Sequence, residues 1–305
     1  MFAAPPVIET EVFASLPDSW RLSGETAWSR RRGSGPLHSF LEGPAFDRAG
    51  NFYCVDICHG RIFRISPAGE WSIFAQYDGN PNGLKIHRDG RIFVTDQSLG
   101  ILIFDPRTGE RIGRLAGPPG ASSFAATNDL FFADDGTIYF TDPGSSSLDD
   151  PSGRVYRWRE GGEAELVADR LPYPNGLVLD HTGKVLLIAL SRSLQIIRAP
   201  LNAAHARAEK LGLFIQLSGG IAGPDGLALD EDGGLAIAHS GLGTVWIFDR
   251  LGEPVARLRS CAGIRATNVA YGGPDGRTLY ITESEKGVIL RARVRTPGRR
   301  MFSHL

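Results

Sequence analysis

Six positions carry an amide or a carboxylate at matching points of a recurring pattern: Glu42, Asn82, Asn128, Asn175, Asp225 and Asn268. Successive members stand 40 to 50 residues apart. Asn-Gly and Asp-Gly are ordinary turn formers, so any one of these positions read alone is a turn. Six in register are a different matter, because rotational repetition brings equivalent side chains to a common axis. A ring of amide and carboxylate oxygens is how a hard divalent cation is held. Two carboxylates with amide oxygens would leave coordination positions for water and substrate. No Cys or multi-His set accompanies them. That favours Ca2+, Mg2+ or Mn2+ over a structural zinc, and leaves catalytic zinc on oxygen ligands open.

The elements that must position this ring are short. After each ring residue come a tight turn such as Asp89-Gly90, Asp135-Gly136, Asp232-Gly233 or Asp275-Gly276, and then the runs FYCVDI, RIFVTD, TIYFTD, VLLIAL, GLAIAH and TLYITE. A third set follows: GRIFRI, GILIFD, GRVYRW, SLQIIR, GTVWIF and GVILRA. These runs are too short, and too rich in β-branched and aromatic residues, for helices, and the turns suit hairpins. Three short strands and a variable fourth, repeating at about 45 residues, are the signature of a propeller blade. The expectation is an all-β protein, a six-bladed β-propeller forming one domain over residues 1–305, with a metal site in its central channel. Little chain remains after Glu283, so the strand-like run 7–14 is expected to complete the last blade and remove an open sheet edge. Helical periodicity is confined to 202–210.

Strand direction implies a second set of residues at the same mouth. The second strand of each blade runs antiparallel to the first, so its end returns to where the first began. Those ends hold Asp56, Cys58 and His59, then Asp96, Asp142, Ser191, His239 with Ser240, and Glu283 with Ser284. His59 and His239 are thus candidates to bind substrate, beside the plainer reading as surface residues. His87 and His181 fall at the opposite end and read as surface. Asp56, Asp96 and Asp142 either join the mouth or tie neighbouring blades through backbone hydrogen bonds. The stretch 20–38, with Arg30, Arg31 and Arg32, reads as a lid or as a connecting loop. No G-x-S-x-G, H-E-x-x-H, P-loop or helix-opening G-x-G-x-x-G occurs.

Composition excludes several classes of function. The net charge of −1 gives no field to draw nucleic acid or an anionic membrane. The arginine-rich stretches 30–32 and 291–300 read as solvated surface, since neither alternates with stacking aromatics. No run is long and apolar enough for a membrane-spanning helix. The first residues lack the positive and apolar regions of a secretory signal. Three cysteines, Cys54, Cys58 and Cys261, are too few and wrongly spaced for a zinc knuckle or a redox pair. A cytoplasmic protein with reduced thiols is the expectation.

The motifs LEGPAF (41–46), NDLFFADDGTIYFTDP (128–143), PNGLVLD (174–180) and GPDGLALD (223–230) resemble the senescence-marker-protein/gluconolactonase/luciferin-regenerating family. The opening blade is similar to that of its drug-responsive lactonase branch. The resemblance covers nearly the whole chain and implies a six-bladed propeller. It also implies one divalent metal, with Ca2+ first and Zn2+, Mg2+ or Mn2+ as alternatives, held by Glu42, Asn175 and Asp225, with Asn128 ligating it or touching substrate. One departure stands out: sugar-lactone members carry Arg two residues before the NDL Asn, and here that residue is Ala126. With Phe124 nearby, a lactone less polar than an aldonolactone is expected. The implied activity is hydrolysis of a cyclic ester, with Asp225 the best candidate for general base. The alternatives are a lyase or dehydratase on the same site and a non-catalytic calcium-binding or interaction propeller.

Overall fold

The computed structural model describes residues 4–202, 206–208 and 210–305; the helical turn expected over 202–210 lies partly outside the described residues. The described residues form six sheets, each with a four-stranded antiparallel core. The inner strands of blades 1 to 6 are Leu41–Phe46, Pro81–Ile86, Leu130–Phe132, Pro174–Leu179, Gly223–Leu229 and Ala266–Gly272. Each blade packs on the next, and blade 6 packs on blade 1, closing the six-bladed propeller.

Burial falls from the axis outward. The second strand Phe52–Asp56 is buried throughout, whereas the outer strand Arg111–Leu115 has no buried residue. Neighbouring blades cover both faces of the second strands, which is why those strands read as near-continuous apolar runs. The core is therefore a set of clusters between blades. Val55, Ile62, Leu84 and Val94 fill the gap between blades 1 and 2, and Phe46, Phe52, Ala270 and Ile289 fill that between blades 1 and 6. Each such side chain contributes about 1.5–3 kcal/mol by burial.

Hydroxyls, rather than the aspartates, tie blade to blade. Thr95 of blade 2 donates to the Asn128 carbonyl, Thr141 of blade 3 to that of Asn175 (2.8 Å), and Ser191 of blade 4 to that of Pro224 (2.7 Å). Ser284 of blade 6 reaches Leu41 of blade 1 at 2.6 Å. Asp56, Asp96 and Asp142 instead accept the N–H groups of Phe40, Asn80 and Ala126, each at 2.7 Å. These backbone partners lead into the inner strand of the same blade, so the expected backbone ties between blades are corrected; across blades, the Asp96 carboxylate accepts only the Tyr77 hydroxyl, at 3.0 Å, among the described residues.

The N-terminal segment divides. Glu11–Ser15 pairs antiparallel with Val288–Arg293 as the outer strand of blade 6. Val7–Glu9 lies parallel to Pro254–Arg259, on the outside of blade 5. Residues 11–15 thus complete the last blade, while 7–9 add a fifth strand to blade 5.

Residues 294–305 form a strap across the end of the channel opposite the ring residues. Gly298 N–H donates to Gly276 O, and Arg299 N–H to Leu229 O, both at 2.9 Å. The Arg299 guanidinium reaches Asp180 O (2.9 Å) and the Asp134 carboxylate (3.1 Å). Phe302 stacks on Phe132 at 4.9 Å and meets His87 edge-on at 4.9 Å. Ser303 Oγ donates to Phe46 O at 3.1 Å, and Arg48 returns a bond to Ser303 O at 2.8 Å. The strap therefore visits blades 6, 5, 4, 3, 2 and 1 in turn. His87 is part of its aromatic seat rather than plain surface, whereas His181 is exposed. The arginines of 291–300 are likewise engaged: Arg291 pairs with Glu11 and Arg293 with Asp275.

Candidate metal centre and substrate cavity

Five of the six inner strands carry a register shift at or beside the ring residue, between Glu42 and Ala45, Pro81 and Leu84, Pro174 and Leu177, Pro224 and Leu227, and Ala266 and Asn268. A bulge bends its strand and re-aims the side chains at that point. In blade 3 the strand starts only at Leu130, and Asn128 N–H bonds to Thr141 O at 2.9 Å. The glycines that follow the ring residues serve close approach rather than turns. A Cβ on Gly43, whose φ is +57°, would sit 2.6 Å from Asn82 O, and one on Gly176 would sit 2.3 Å from Asp225 O. Only glycine lets the inner strands come together this tightly at the axis.

The result is a small cavity of about 100 Å3 in which Glu42, Asn82, Asn128, Asn175 and Asp225 converge. Asn268 sits behind it, donating from Nδ2 to Glu42 Oε2 (2.8 Å) and Asp129 Oδ2 (3.3 Å). Asn175 Nδ2 donates to Ser191 Oγ at 3.1 Å, which leaves its Oδ1 as the atom free for a cation. Gly43 N–H also holds Glu42 Oε2, at 2.6 Å, leaving Oε1 uncommitted.

The electrostatics of this group are unfavourable as they stand. Burial, then the nearby Asp129 carboxylate, pushes Glu42 up to about 8. Burial, then Glu42 and Asp129, holds Asp225 well above the usual carboxylate range. Lys85, 3.8 Å from Asp129 Oδ1, is the single cation within ion-pair distance of the three among the described residues. Crowded, desolvated carboxylates with uncommitted oxygens are what a divalent ion stabilises, and an all-oxygen donor set suits a hard one. The residues present fit the metal that the motifs imply.

A roof covers the mouth. In the stretch 20–38, Thr26 and Ser29 form a reciprocal cap on the helix Ala27–Arg31. Trp28 is buried against Phe40, Ile57 and Cys58, and its Nε1–H donates to Gln97 Oε1 at 2.8 Å. Trp28 and Arg32 line the cavity from above. The arginines of 30–32 are exposed; Arg31 also bonds Asn80 Oδ1 at 3.2 Å, and Arg32 faces the site.

The two histidines do not reach this cavity. His59 Nε2 bonds Leu37 O at 2.9 Å, supporting the roof. His239 is fully buried; Trp246 Nε1–H donates to its Nδ1 (3.3 Å), so its Nε2–H donates to Gly219 O (3.1 Å). Burial pushes its pKa down. A substrate-binding role for His59 and His239 therefore draws no support from the geometry. Asp56, Cys58 and His59 lie within 4.8 Å of one another, but Arg61 takes Asp56 Oδ2 at 2.6 Å and Phe40 N–H takes Oδ1. Phe124 is also elsewhere, packed on Phe140 and Tyr156 in the core, so it does not make the cavity apolar.

Asp129 and two of the three cavity arginines, Arg192 and Arg265, were not singled out by the sequence, and Arg32 appeared only as part of a candidate lid. Asp129 was detectable as the second residue of the NDL motif; the arginines carry no repeat signal. A larger cavity, about 910 Å3, opens at the opposite end beside the strap. Its Asp47 and Asp275 are committed to turn N–H groups and to Arg293, so it lacks the convergence seen at the mouth.

Residues 40–285 match the family model described as the SMP-30/Gluconolactonase/LRE-like region. Lactonase drp35 of Staphylococcus aureus strain MW2 is 28% identical over 228 residues, covering 72% of this chain and 69% of that protein. The Staphylococcus epidermidis lactonase drp35 is 26% identical over 252 residues, covering 80% and 74%. Among solved structures, the calcium-binding protein regucalcin from Agrobacterium tumefaciens superposes with a TM-score of 0.78 at 19% identity, over 99% and 100% of the two chains. A gluconolactonase from Xanthomonas campestris gives 0.72 at 20% identity, over 97% and 98%.

Proposed function

We propose that this chain, which belongs to the SMP-30/gluconolactonase/LRE-like family, is a metal-dependent lactonase working in the roofed cavity at the mouth of the propeller. The observation that carries this is the meeting of Glu42 and Asp225, both buried and electrostatically strained, with the amides of Asn128 and Asn175 in one small cavity. Glu42, Asn175 and Asp225 would hold the ion, with Asn128 as a fourth ligand or neighbour, and Ca2+ is the first choice. A bound divalent ion supplies Lewis-acid polarisation of the ester carbonyl and acidifies the attacking water.

The chain's own residues do the rest. Asp225 takes the proton from the attacking water at its carboxylate and returns it to the ring oxygen as the acyl C–O bond breaks, giving the hydroxy acid. A positioned base of this kind contributes about 10²–10⁴-fold. Asn128, if it stands beside rather than on the ion, donates Nδ2–H to the oxyanion that develops, worth about 10²–10³-fold. Asn268 and Gly43 orient Glu42, and Ser191 orients Asn175. Trp28 and the roof restrict water and admit a small ring, since the cavity is below the range of drug-sized sites.

The test is hydrolysis of aliphatic, aromatic and sugar lactones, followed by proton release after chelation and single-metal reconstitution. Turnover that disappears on chelation and returns with one ion is the expected result. Turnover indifferent to chelators, or metal binding without hydrolysis of any lactone, overturns the reading; the latter would leave a calcium-binding propeller.

A further inference from the structure

The cavity holds more positive charge than a neutral lactone can use. Three arginines line it from separate parts of the fold: Arg32 after the roof helix, Arg192 after the second strand of blade 4, and Arg265 leading into blade 6. Among the described residues, no carboxylate stands within ion-pair distance of any of them, unlike Arg91, Arg157 and Arg293. The acidic residues lining the cavity are Glu42 and Asp225, whose two charges match a divalent ion. Asp129 is met by Lys85 and Asn268. With the ion in place, Arg192 and Arg265 remain without a counter-charge, and Arg32 has only the shared charge of Asp225 nearby.

All three are exposed at the cavity rim, and two of them stack on aromatic rings there. Arg192 lies over the ring of Tyr173 at 5.1 Å, and Arg32 over that of Trp28 at 4.8 Å. Such stacking fixes the plane of the guanidinium fork. Tyr173 itself lines the cavity with φ of +60°, a left-handed conformation that is costly for a bulky side chain. The strain is held by bonds from Tyr173 N–H to Ser146 Oγ and from Ser191 N–H to Tyr173 O, both at 3.0 Å. A strained tyrosine that presents an unpaired arginine to the cavity has no evident packing purpose, since its ring is not part of a core cluster.

From this we propose that the substrate is an acidic lactone, one whose ring carries a carboxylate that Arg32, Arg192 and Arg265 receive while the ester lies over the metal centre. The inference rests on the lactonase reading and assigns the three arginines as specificity-determining residues. Guanidinium forks pair with carboxylates bidentately.

The experiment compares a five- or six-membered lactone bearing a free carboxylate with its methyl ester, on the metal-loaded protein. The quantity read is the ratio of kcat/KM, acid over ester, in the wild type and in Arg192→Gln, Arg265→Gln and Arg32→Gln. Losing one charge-assisted hydrogen bond is expected to lower that ratio about tenfold or more. Raising the ionic strength should lower it as well. Arg192→Lys should recover part of the loss, because charge returns without the fork. Equilibrium binding of the matching lactams, which resist hydrolysis, is measured in parallel. Acid-over-ester preference in binding, lost in the glutamine variants, upholds the inference even if no lactone turns over and the hydrolase reading falls. Equal handling of acid and ester by the wild type, or a ratio the three variants leave unchanged, overturns it while leaving lactone hydrolysis intact.

Discussion

The two ends of the channel carry the same kind of residue at repeated positions, with opposite electrostatics. At the strap end, each blade's first turn places an aspartate whose carboxylate accepts nearby backbone N–H groups. Asp47 accepts from Ala49 and Asn51, Asp180 from Lys184 and Val185, and Asp230 from Asp232 and Gly234. The exposed Asp275 is held down to about 2 by Arg293 and by Arg277 N–H. At the mouth, burial and then Asp129 push Glu42 up, and burial, then Glu42 and Asp129, push Asp225 up. One end satisfies its charges locally and is sealed by the strap. The other gathers them at the axis and leaves oxygens uncommitted. A repeated acidic residue is therefore not itself a functional signal; what counts is whether its lone pairs have partners.

The largest effect should come from the mouth. Asp225→Asn keeps an oxygen for the ion but loses its basicity, so kcat should fall about 10²–10⁴-fold even at saturating metal. Near wild-type kcat under those conditions would reduce Asp225 to a ligand.

At the sealed end the expected cost is in stability. Phe302→Ala removes the ring seated on Phe132 and His87, and should lower unfolding free energy by about 3–5 kcal/mol, read by denaturant titration. Activity per folded molecule should be retained, because the strap lies opposite the mouth. Loss of turnover at full folding would show that the two ends are coupled.

Glu42 should show itself through pH. Its folded-state pKa lies above the unfolded value, so the metal-free protein loses stability as pH rises from about 4.5 through about 8. A metal must displace the same proton, so metal affinity should climb with pH and level off above about 8. Titrations across that range should show the inflection in the wild type and its loss in Glu42→Gln. Saturating metal should restore more activity to Glu42→Gln than to Asp225→Asn.

The smallest effect belongs to Asp275→Asn. Its partners are exposed and screened, so neither thermal midpoint nor metal affinity should move measurably. A large shift would mean that strap-end carboxylates do more than cap turns.

Several features were legible in the chain because they repeat locally. The blade period, the hairpin turns and the ring positions each depend on residues close in sequence, and strand alternation then dictates which end of the channel they share. Glu42, Asn128, Asn175 and Asp225 come together for that reason. Features that depend on ring closure were not legible. Phe302 meets Phe132, Ser284 meets Leu41, and Val7–Glu9 lies on blade 5 across separations that no local pattern encodes. The same holds for the charge balance of the site. Asp129, Asn268 and Lys85 act on Glu42 only because the blades curve round to one axis, and His239 leaves the mouth only because Trp246 and Gly219 claim both its nitrogens. Sequence determined the repeating unit and the donor types; closure of the ring decided their neighbours, and through desolvation and unanswered charge it decided which of them can bind an ion.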